Sequence, residues 1–153
     1  MVYDPAMTYT TLLLAALAFA GQHAHASSGM DFDQEQTVHH FRLAEDGGAI
    51  EIDVRRAADT DLRDIVRMHL RHISQEFAAG NFDKPFATHG ETPAGVPDMV
   101  RLKARITYSF EDMEHGGRVR IRAAGQEARD AVHAFLRYQI REHATGDSLT
   151  VKK

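Results

Sequence analysis

A Gly-Gly pair between two alternating segments occurs twice in this chain, and the repetition constrains the fold more than any other feature of the sequence. The first pair is Gly47-Gly48 and the second is Gly116-Gly117. Apolar and polar residues alternate on both sides of each pair, as they do in strands with one buried face. Two such segments joined by a turn such as Asp46-Gly47-Gly48 are typical of a β-hairpin, so two hairpins are predicted.

Each hairpin is followed by apolar residues at helical spacing. In the first half this pattern begins after an N-cap at Asp59 and ends at Gly80, a residue type that commonly terminates helices. The second half carries a corresponding pattern after its own hairpin. The two apolar stripes are Leu62, Ile65, Val66, His69, Leu70, Ile73 and Phe77 in the first half, and Ala128, Ala131, Val132, Phe135, Leu136, Gln139 and Ile140 in the second.

The two halves align residue by residue. Superposing the Gly-Gly pairs matches Phe41 with Phe110 and Ile50 with Val119, and a three-residue deletion then brings the two helical stripes into register. Matches in register indicate a ββα unit used twice. The predicted fold class is therefore α+β: a duplicated ββα-ββα chain that forms a four-stranded antiparallel sheet with two long helices on one face.

The other face of the predicted sheet carries polar residues of both charges and is expected to meet water. Arg118, Arg120 and Arg122 alternate along one strand of this face. They could form an anion-binding surface, or they could pair across the strands with Glu51 and Asp53. Cross-strand pairing is the favoured interpretation, because opposite charges on neighbouring strands stabilise a sheet.

The N-terminal residues have the pattern of a cleavable signal peptide. An apolar run over residues 12–20 is followed by small residues at Ala24 and Ala26, which predicts cleavage after Ala26. The run is about half the length that a membrane-spanning helix needs, so no membrane anchor is expected after cleavage. Translation could begin at Met1 or at Met7. A periplasmic or secreted location is predicted.

Composition divides the rest of the chain into one domain with flanking segments. The polar, acidic stretch after the cleavage site is predicted to be a flexible arm. A long linker joins the two repeats, and Pro97 within it is predicted to lie in the first turn of a short helix. The predicted boundaries are 1–26 for the signal peptide, 27–36 for the arm, 37–147 for the α+β domain (repeat one 37–79, linker 80–103, repeat two 104–143) and 148–153 for the tail.

Charge and composition exclude several functional classes. The chain has 22 acidic and 18 basic residues, so a basic surface for nucleic acid is not supported. It has no cysteine, which excludes thiol catalysis and c-type haem attachment. It also lacks the G-x-S-x-G, phosphate-loop and dinucleotide-binding motifs, so no recognisable enzyme is predicted.

Histidine is over-represented, with ten residues in the chain. On the first strand His39 shares the inward face with Phe41. On the first helix His69 lies within the apolar stripe, and His72 follows three positions later on a neighbouring part of the surface. His39, His69 and His72 are therefore predicted to converge between sheet and helix, where the second half has aromatic rings at the matching positions.

Converging neutral imidazoles are suitable ligands for copper or zinc. His89 or Met99, both in the linker, is predicted to complete such a site, and His133 and His143 on the second helix are further candidates. In the alternative interpretation the histidines pack the core of a module without metal, which forms a homodimer or binds a protein partner. An enzyme that uses a histidine as acid or base in the linker cleft ranks last.

Six stretches spread over the predicted mature chain also carry a resemblance to other proteins. They are HHF (39–41), GGAIE (47–51), HLRHI (69–73), PAGVPDM (93–99), GGRVRI (116–121) and VHAFLRYQI (132–140). They resemble a group of short exported bacterial proteins of unsettled function, some of which are labelled aspartate carbamoyltransferase. The sequence does not support that label, since the chain is about half the length of such a catalytic chain and lacks its Ser-Thr-Arg-Thr and His-Pro-x-Gln motifs. The resemblance implies a coherent family and no mechanism.

Overall fold

The computed structural model describes residues 32–151, so the predicted signal peptide lies outside the described residues. Four strands form one antiparallel sheet in the order β1-β2-β4-β3. The strands are β1 (Thr37–Ala44), β2 (Gly47–Val54), β3 (Ile106–Met113) and β4 (Gly116–Ala123). The helices are α1 (Thr60–Ala79), α2 (Asp83–His89), α3 (Val96–Arg101) and α4 (Gln126–Glu142), with short 3-10 turns at Gln34–Gln36 and Lys103–Arg105.

The long helices α1 and α4 pack on the sheet and bury its apolar side chains. α1 contacts mainly β3 and β4, whereas α4 contacts mainly β1 and β2. Ile52 and Ile121, on the two central strands, are almost fully buried beneath them. The predicted α+β class, with a four-stranded antiparallel sheet and two long helices, is confirmed. Among residues 32–151, none of the helices combines the length and the apolar character that crossing a membrane requires.

The two halves are related by an approximate two-fold axis at the centre of the sheet. Ile50 and Val119, which the repeat alignment equates, lie opposite each other in the β2–β4 pair. Both hairpins also have the same internal register, with Phe41 opposite Ile50 in one and Phe110 opposite Val119 in the other. These pairings are consistent with a ββα unit used twice.

Reciprocal hydrogen bonds tie each hairpin turn to the other half. The Val54 N–H donates to the carbonyl oxygen of His115 at 2.9 Å. The matching Ala123 N–H donates to the carbonyl oxygen of Asp46 at 2.8 Å. Each turn therefore accepts a hydrogen bond from the last strand residue of the other hairpin, and these two bonds fix the arrangement of the two units.

The paired glycines allow close approach of neighbouring strands. The turns themselves are residues 45–46 and 114–115, and each Gly-Gly pair begins the strand that follows. The sequence therefore placed the hairpins correctly but assigned the glycines to the turn. A Cβ atom on Gly116 would overlap the carbonyl oxygen of Ile52 on the adjacent strand. Glycine is required there because no side chain fits between the two backbones.

Substitution of Gly116 by alanine is expected to lower the free energy of unfolding by about 3 kcal/mol, because the strands must separate to admit the new methyl group. Urea denaturation followed by circular dichroism would measure this change. Ser109→Ala, at an exposed position on β3, serves as the control and is expected to be nearly neutral. Coinciding denaturation midpoints for the two variants would contradict the close-approach role of Gly116.

The described part of the predicted flexible arm folds onto the domain. Phe32 is 7% exposed and belongs to the hydrophobic core. Asp33 caps the 3-10 turn that follows, by accepting a hydrogen bond from the Glu35 N–H at 2.9 Å. At the other end of the chain, Val151 of the predicted tail packs against the core. Composition missed both segments because each contributes one apolar contact within a polar stretch.

The linker between the repeats contains two short helices. α3 begins at Val96 with Pro97 in its first turn, as predicted, and it packs against α4. α2 was not predicted from the sequence. It begins after Phe82 and ends at Gly90, which has a positive φ of 73° that favours glycine.

The arginines on the face of the sheet that the helices do not cover form ion pairs. Arg118 contacts Glu51 at 2.7 Å, as the cross-strand interpretation predicts. Arg120 and Arg122 instead contact Asp46 in the first hairpin turn. The arginine row is therefore engaged in pairing within the protein, and Asp46 takes the role that the sequence assigned to Asp53.

Asp147, in the segment after α4, closes the outer edge of β1. Its carboxylate accepts hydrogen bonds from the Phe41 N–H at 2.9 Å and from Arg42 at 2.7 Å, and it lies 3.0 Å from Nδ1 of His40. The Thr145 hydroxyl donates to it at 2.8 Å. Burial alone would raise the pKa of Asp147, but these hydrogen bonds lower it below the ordinary value.

Candidate functional site

Four imidazoles line one cavity of about 60 Å³ between the sheet and the helices. His39 reaches it from β1, His69 from α1, His89 from the end of α2 and His143 from the residue after α4. These four side chains and the cavity are called the imidazole pocket below. The rest of the wall is mainly apolar and includes Ile50, Ile52, Leu70, Ile73 and Phe135.

The imidazole rings contact one another directly. The ring centroids of His39 and His143 are 5.6 Å apart, and those of His89 and His143 are 5.1 Å apart. Phe32 lies against the other side of the group, with its centroid 6.3 Å from that of His39 and 5.2 Å from that of His69. The four histidines and Phe32 therefore form one continuous cluster of rings.

Local structure explains how each histidine reaches the pocket. Strand alternation turns His39 inward together with Phe41, which is 4% exposed. His69 lies on the buried stripe of α1 and is 4% exposed. His89 is the last residue of α2, and His143 is the C-cap of α4. Two of the four imidazoles are thus placed by strand or helix faces, and two by helix ends.

Aromatic rings stand at the positions that the repeat alignment matches to His39 and His143. The repeat alignment equates His39 with Tyr108 and, after the three-residue deletion, His143 with Phe77. The ring centroids of Phe77 and Tyr108 are 5.8 Å apart, close to the separation of their imidazole counterparts. Phe82 stacks on Phe77 at 4.3 Å. Aromatic rings therefore form a cluster at these positions, whereas their repeat counterparts are imidazoles around a cavity.

Helix α2 spans the two ring clusters. Phe82, just before the helix, stacks on Phe77 of the aromatic cluster. His89, the last residue of the helix, contacts His143 of the imidazole pocket. The linker thus contributes one ring to each cluster, and its own side chains Lys84 and Pro85 form part of the pocket wall.

Burial keeps two of the pocket histidines, His39 and His143, uncharged at neutral pH. Burial, reinforced by the nearby His143 and His69, lowers the pKa of His39 to about 4. Burial and the neighbouring His89 lower the pKa of His143 to about 4 as well. Both rings are therefore neutral at pH 7, and each offers one nitrogen lone pair.

Gln139 on α4 forms a hydrogen bond with His89, one of the pocket histidines, and the chemistry of the amide shows which group donates. Its Oε1 lies 3.1 Å from Nε2 of His89. An amide oxygen only accepts, so His89 donates this hydrogen bond from Nε2. Gln139 is 4% exposed, and its Nε2 finds no hydrogen-bond partner among residues 32–151. Nε2 of His39 is likewise buried without a partner in this part of the chain.

The structure does not bring His72 to the imidazole pocket. His72 is exposed and lines a separate cleft with Met68. Residues three apart are displaced by about 60° around a helix. Because His69 already lies at the edge of the buried stripe, this displacement carries His72 toward solvent.

Two other predicted candidates are occupied elsewhere. Met99 is 1% exposed within the hydrophobic core and is not part of the pocket wall. His133 donates from Nε2 to the carbonyl oxygens of Ala44 and Gly47, both at 2.9 Å. Since both partners can only accept, His133 fastens α4 to the first hairpin turn.

Sequence reasoning gave His143 only secondary rank and did not select Gln139 or Phe32. The repeat alignment matches His143 with Phe77, a residue of the apolar stripe, and this match indicates that His143 faces the interior. Within residues 32–151, no group of three or more His, Asp or Glu side chains already stands in positions that could hold one metal ion. The pocket is therefore a cluster of rings, not a completed coordination site.

Comparison of the chain with protein-family models, with curated proteins and with solved structures found no match.

Proposed function

We propose that the protein is an exported binding module for a transition-metal ion, copper or zinc, held in the imidazole pocket. The observation that carries this proposal is that four imidazoles from four different elements line one small cavity. Export is supported by the signal-peptide pattern of the N-terminal residues. Imidazole nitrogen is a good ligand for both metals.

The spacing of the rings suits a shared ion. A zinc–nitrogen bond is about 2.0–2.1 Å and a ring centre lies about 1.1 Å behind its nitrogen, so two imidazoles on one tetrahedral ion have centroids about 5 Å apart. The observed separations are 5.6 Å between His39 and His143 and 5.1 Å between His89 and His143. The separations are therefore close to those of two imidazoles on one ion, and binding would require the nearly parallel rings of His39 and His143 to turn toward it.

The protonation state of the pocket also favours metal binding. A protonated imidazole must lose a proton before it can bind a cation, which weakens binding at neutral pH. The pKa values of His39 and His143, about 4, remove that competition. The neutral rings are ready to bind a cation.

Gln139 supplies the kind of outer contact that orients a metal-bound histidine. Ligating histidines commonly donate their second ring N–H to a fixed acceptor, which sets the orientation of the ring. His89 donates from Nε2 to Oε1 of Gln139 at 3.1 Å, which leaves Nδ1 as the ligating atom. We propose that Gln139 is a positioning residue for His89.

The size of the cavity favours an ion over an organic ligand. An apolar cavity that takes up benzene measures about 150 Å³, whereas a cavity needs only about 10–15 Å³ to hold one water molecule. The imidazole pocket, at about 60 Å³, holds an ion with one or two small molecules. A larger organic molecule would require α2 to move away.

Titration of metal-free protein without a His tag, with Zn(II) and Cu(II) in a calorimeter, tests this proposal. The double variant His39→Tyr/His143→Phe introduces the residue types found at the matching repeat positions, Tyr108 and Phe77. It therefore removes two proposed ligands and keeps an aromatic ring at each position. We expect the metal affinity of this variant to fall by more than about 100-fold. Changing a residue that only supports a ligand lowers metal affinity by up to about 100-fold, and removing two ligands should cost more. Histidines outside the pocket contribute equally to both proteins.

His72→Ala is the matched control, because it removes an exposed histidine of the same helix that carries His69. Its metal affinity is expected to equal that of the wild type. Unchanged affinity in the double variant, or loss of affinity in His72→Ala alone, would contradict the assignment. If the wild-type protein has no tight metal site, the pocket is part of the packed core of a module that binds no metal.

A further inference from the structure

Helix α2 covers one side of the imidazole pocket. Lys84, Pro85 and His89 of this helix form part of the pocket wall. No residue of α2 (Asp83–His89) is buried, and Phe86, which does not line the pocket, is 51% exposed. The helix therefore shields the pocket without belonging to the core of the domain.

The two ends of α2 are held by contacts of different kinds. At the first end, Phe82 is 7% exposed and its ring stacks on Phe77 with a centroid separation of 4.3 Å. At the other end, His89 makes one hydrogen bond with Gln139, of 3.1 Å, and an edge-on ring contact with His143. Burial of a phenylalanine ring stabilises more than a single hydrogen bond does. The His89 end is therefore the one that separates more easily.

Tyr138 on α4 holds the His89 end from outside the pocket. Its ring lies edge-on to that of His89, with the centroids 5.2 Å apart. Its hydroxyl group donates a hydrogen bond of 2.8 Å to the carboxylate of Glu91, two residues beyond His89. This bond is exposed, so water can replace it at small cost. The contact between Tyr138 and Glu91 therefore fastens this end of α2 reversibly.

Glycines flank the helix at the points where a rotation of α2 would bend the chain. Gly80 and Gly90 have positive φ angles of 85° and 73°. A Cβ atom on Gly90 would meet no atom of the described chain within 4 Å. Hinges are a few residues at the ends of elements that absorb changes in φ and ψ, and glycine is the residue least restricted in these angles. Residues 81–90 thus form a short segment between two joints.

We propose that residues 81–90 act as a hinged cover: the His89 end of α2 swings outward about the anchored Phe82 and gives access to the imidazole pocket. With the cover closed, Nε2 of His39 is buried in the pocket wall. Outward movement takes the side chains of α2 out of the wall and exposes this atom to solvent. The inference goes beyond the proposed function, because it concerns entry to the pocket and holds for any occupant.

Diethyl pyrocarbonate, which acylates uncharged imidazole nitrogen atoms, is the probe for access to His39. The reaction is run at pH 7 on metal-free protein, and tandem mass spectrometry of peptides gives the rate at each histidine. His115, in the exposed turn between β3 and β4, is the internal reference. Tyr138→Phe removes the hydrogen bond to Glu91 and keeps the ring. We expect the rate at His39 relative to His115 to rise about fivefold in this variant, the effect of one hydrogen bond on an opening equilibrium.

His133 separates movement of α2 from unfolding of the whole domain. It is 8% exposed and fastened to the first hairpin turn, and it does not line the pocket. Its rate of modification is expected to be the same in the wild type and in Tyr138→Phe. Equal rises at His39 and His133 would mean that the domain unfolds as a unit, and they would overturn the hinged cover.

A cross-link between positions 91 and 138 tests the same motion in the opposite direction. The chain has no cysteine, so Glu91→Cys/Tyr138→Cys supplies the only two thiols. A bifunctional thiol reagent long enough to replace the two shortened side chains joins α4 to the end of the cover. We expect the bridge to slow modification of His39 more than about tenfold relative to the unbridged variant and to leave His115 unchanged. Equal rates at His39 with and without the bridge would overturn the inference. Neither experiment uses a metal ion, so the metal titration and this test fail independently.

Discussion

Acidification from pH 6.5 to pH 4 is expected to lower the free energy of unfolding of the metal-free protein by on the order of 4 kcal/mol. The cause is the pair His39 and His143, whose pKa values in the folded protein are about 4. In the unfolded chain both imidazoles titrate near their ordinary value of about 6.5. Each pKa unit corresponds to about 1.4 kcal/mol, and the pair contributes less than the sum of two independent groups because the rings interact.

The direction of the effect follows from which state binds protons first. Between pH 6.5 and pH 4 the unfolded chain binds protons at His39 and His143, whereas the folded protein leaves both rings neutral. The stabilising contribution is therefore complete above pH 6.5 and is lost as the pH falls to 4. The pKa of Asp147 is lowered in the folded protein, so its contribution is lost as the pH falls from the ordinary carboxyl pKa of about 3.9 toward the lower folded value.

Urea denaturation at half-unit intervals of pH, in the presence of a chelator, measures the dependence. The variant His39→Tyr/His143→Phe should show a much flatter stability profile between pH 6.5 and pH 4, because it no longer contains these two titrating groups. His72→Ala should retain the wild-type slope, since His72 is exposed. Parallel profiles for the wild type and the double variant would show that the pocket histidines do not cause the acid destabilisation.

Truncation of Phe135 is expected to destabilise the protein by about 4 kcal/mol, within the range for a buried phenylalanine changed to alanine. Phe135 is 1% exposed. Its ring centroid lies 5.8 Å from that of Phe77 and 6.0 Å from that of Phe82. The same side chain lines the imidazole pocket, so its removal enlarges the cavity as well as removing contacts between the two ring clusters.

Urea denaturation at pH 7 measures this loss, with Phe86→Ala as the matched control. Phe86 lies on α2 and is 51% exposed, so its truncation should change the free energy of unfolding by less than about 0.5 kcal/mol. A loss in Phe86→Ala as large as that in Phe135→Ala would indicate that α2, and not the contact of the two ring clusters, dominates stability.

Most of the fold could be predicted because local patterns and the repeat agree. Alternation identified the strands, the helical stripes identified α1 and α4, and the repeat alignment indicated that one unit is used twice. It did not determine which strands meet at the centre of the sheet, so the pairing of Ile50 with Val119 is known only from the structure. Phe32 and Val151 were missed because a single apolar residue in a polar stretch produces no periodic signal. α2 was missed because seven residues with no buried side chain show no stripe.

The candidate site could be predicted only in part. Alternation and helical periodicity identify the face of an element on which a residue lies, which was sufficient to place His39 and His69 inward. They do not determine how far around the helix the buried stripe extends, and His72 falls outside it. Placing His89 and His143 required the path of the linker and the end of α4, which depend on tertiary packing.

The outer edge of β1 is protected against the addition of another strand by a side chain of the same protein. The carboxylate of Asp147 already holds the Phe41 N–H and also contacts Arg42, so an incoming backbone would have to displace it from both. The segment after α4 therefore makes pairing of a second chain with β1 less favourable.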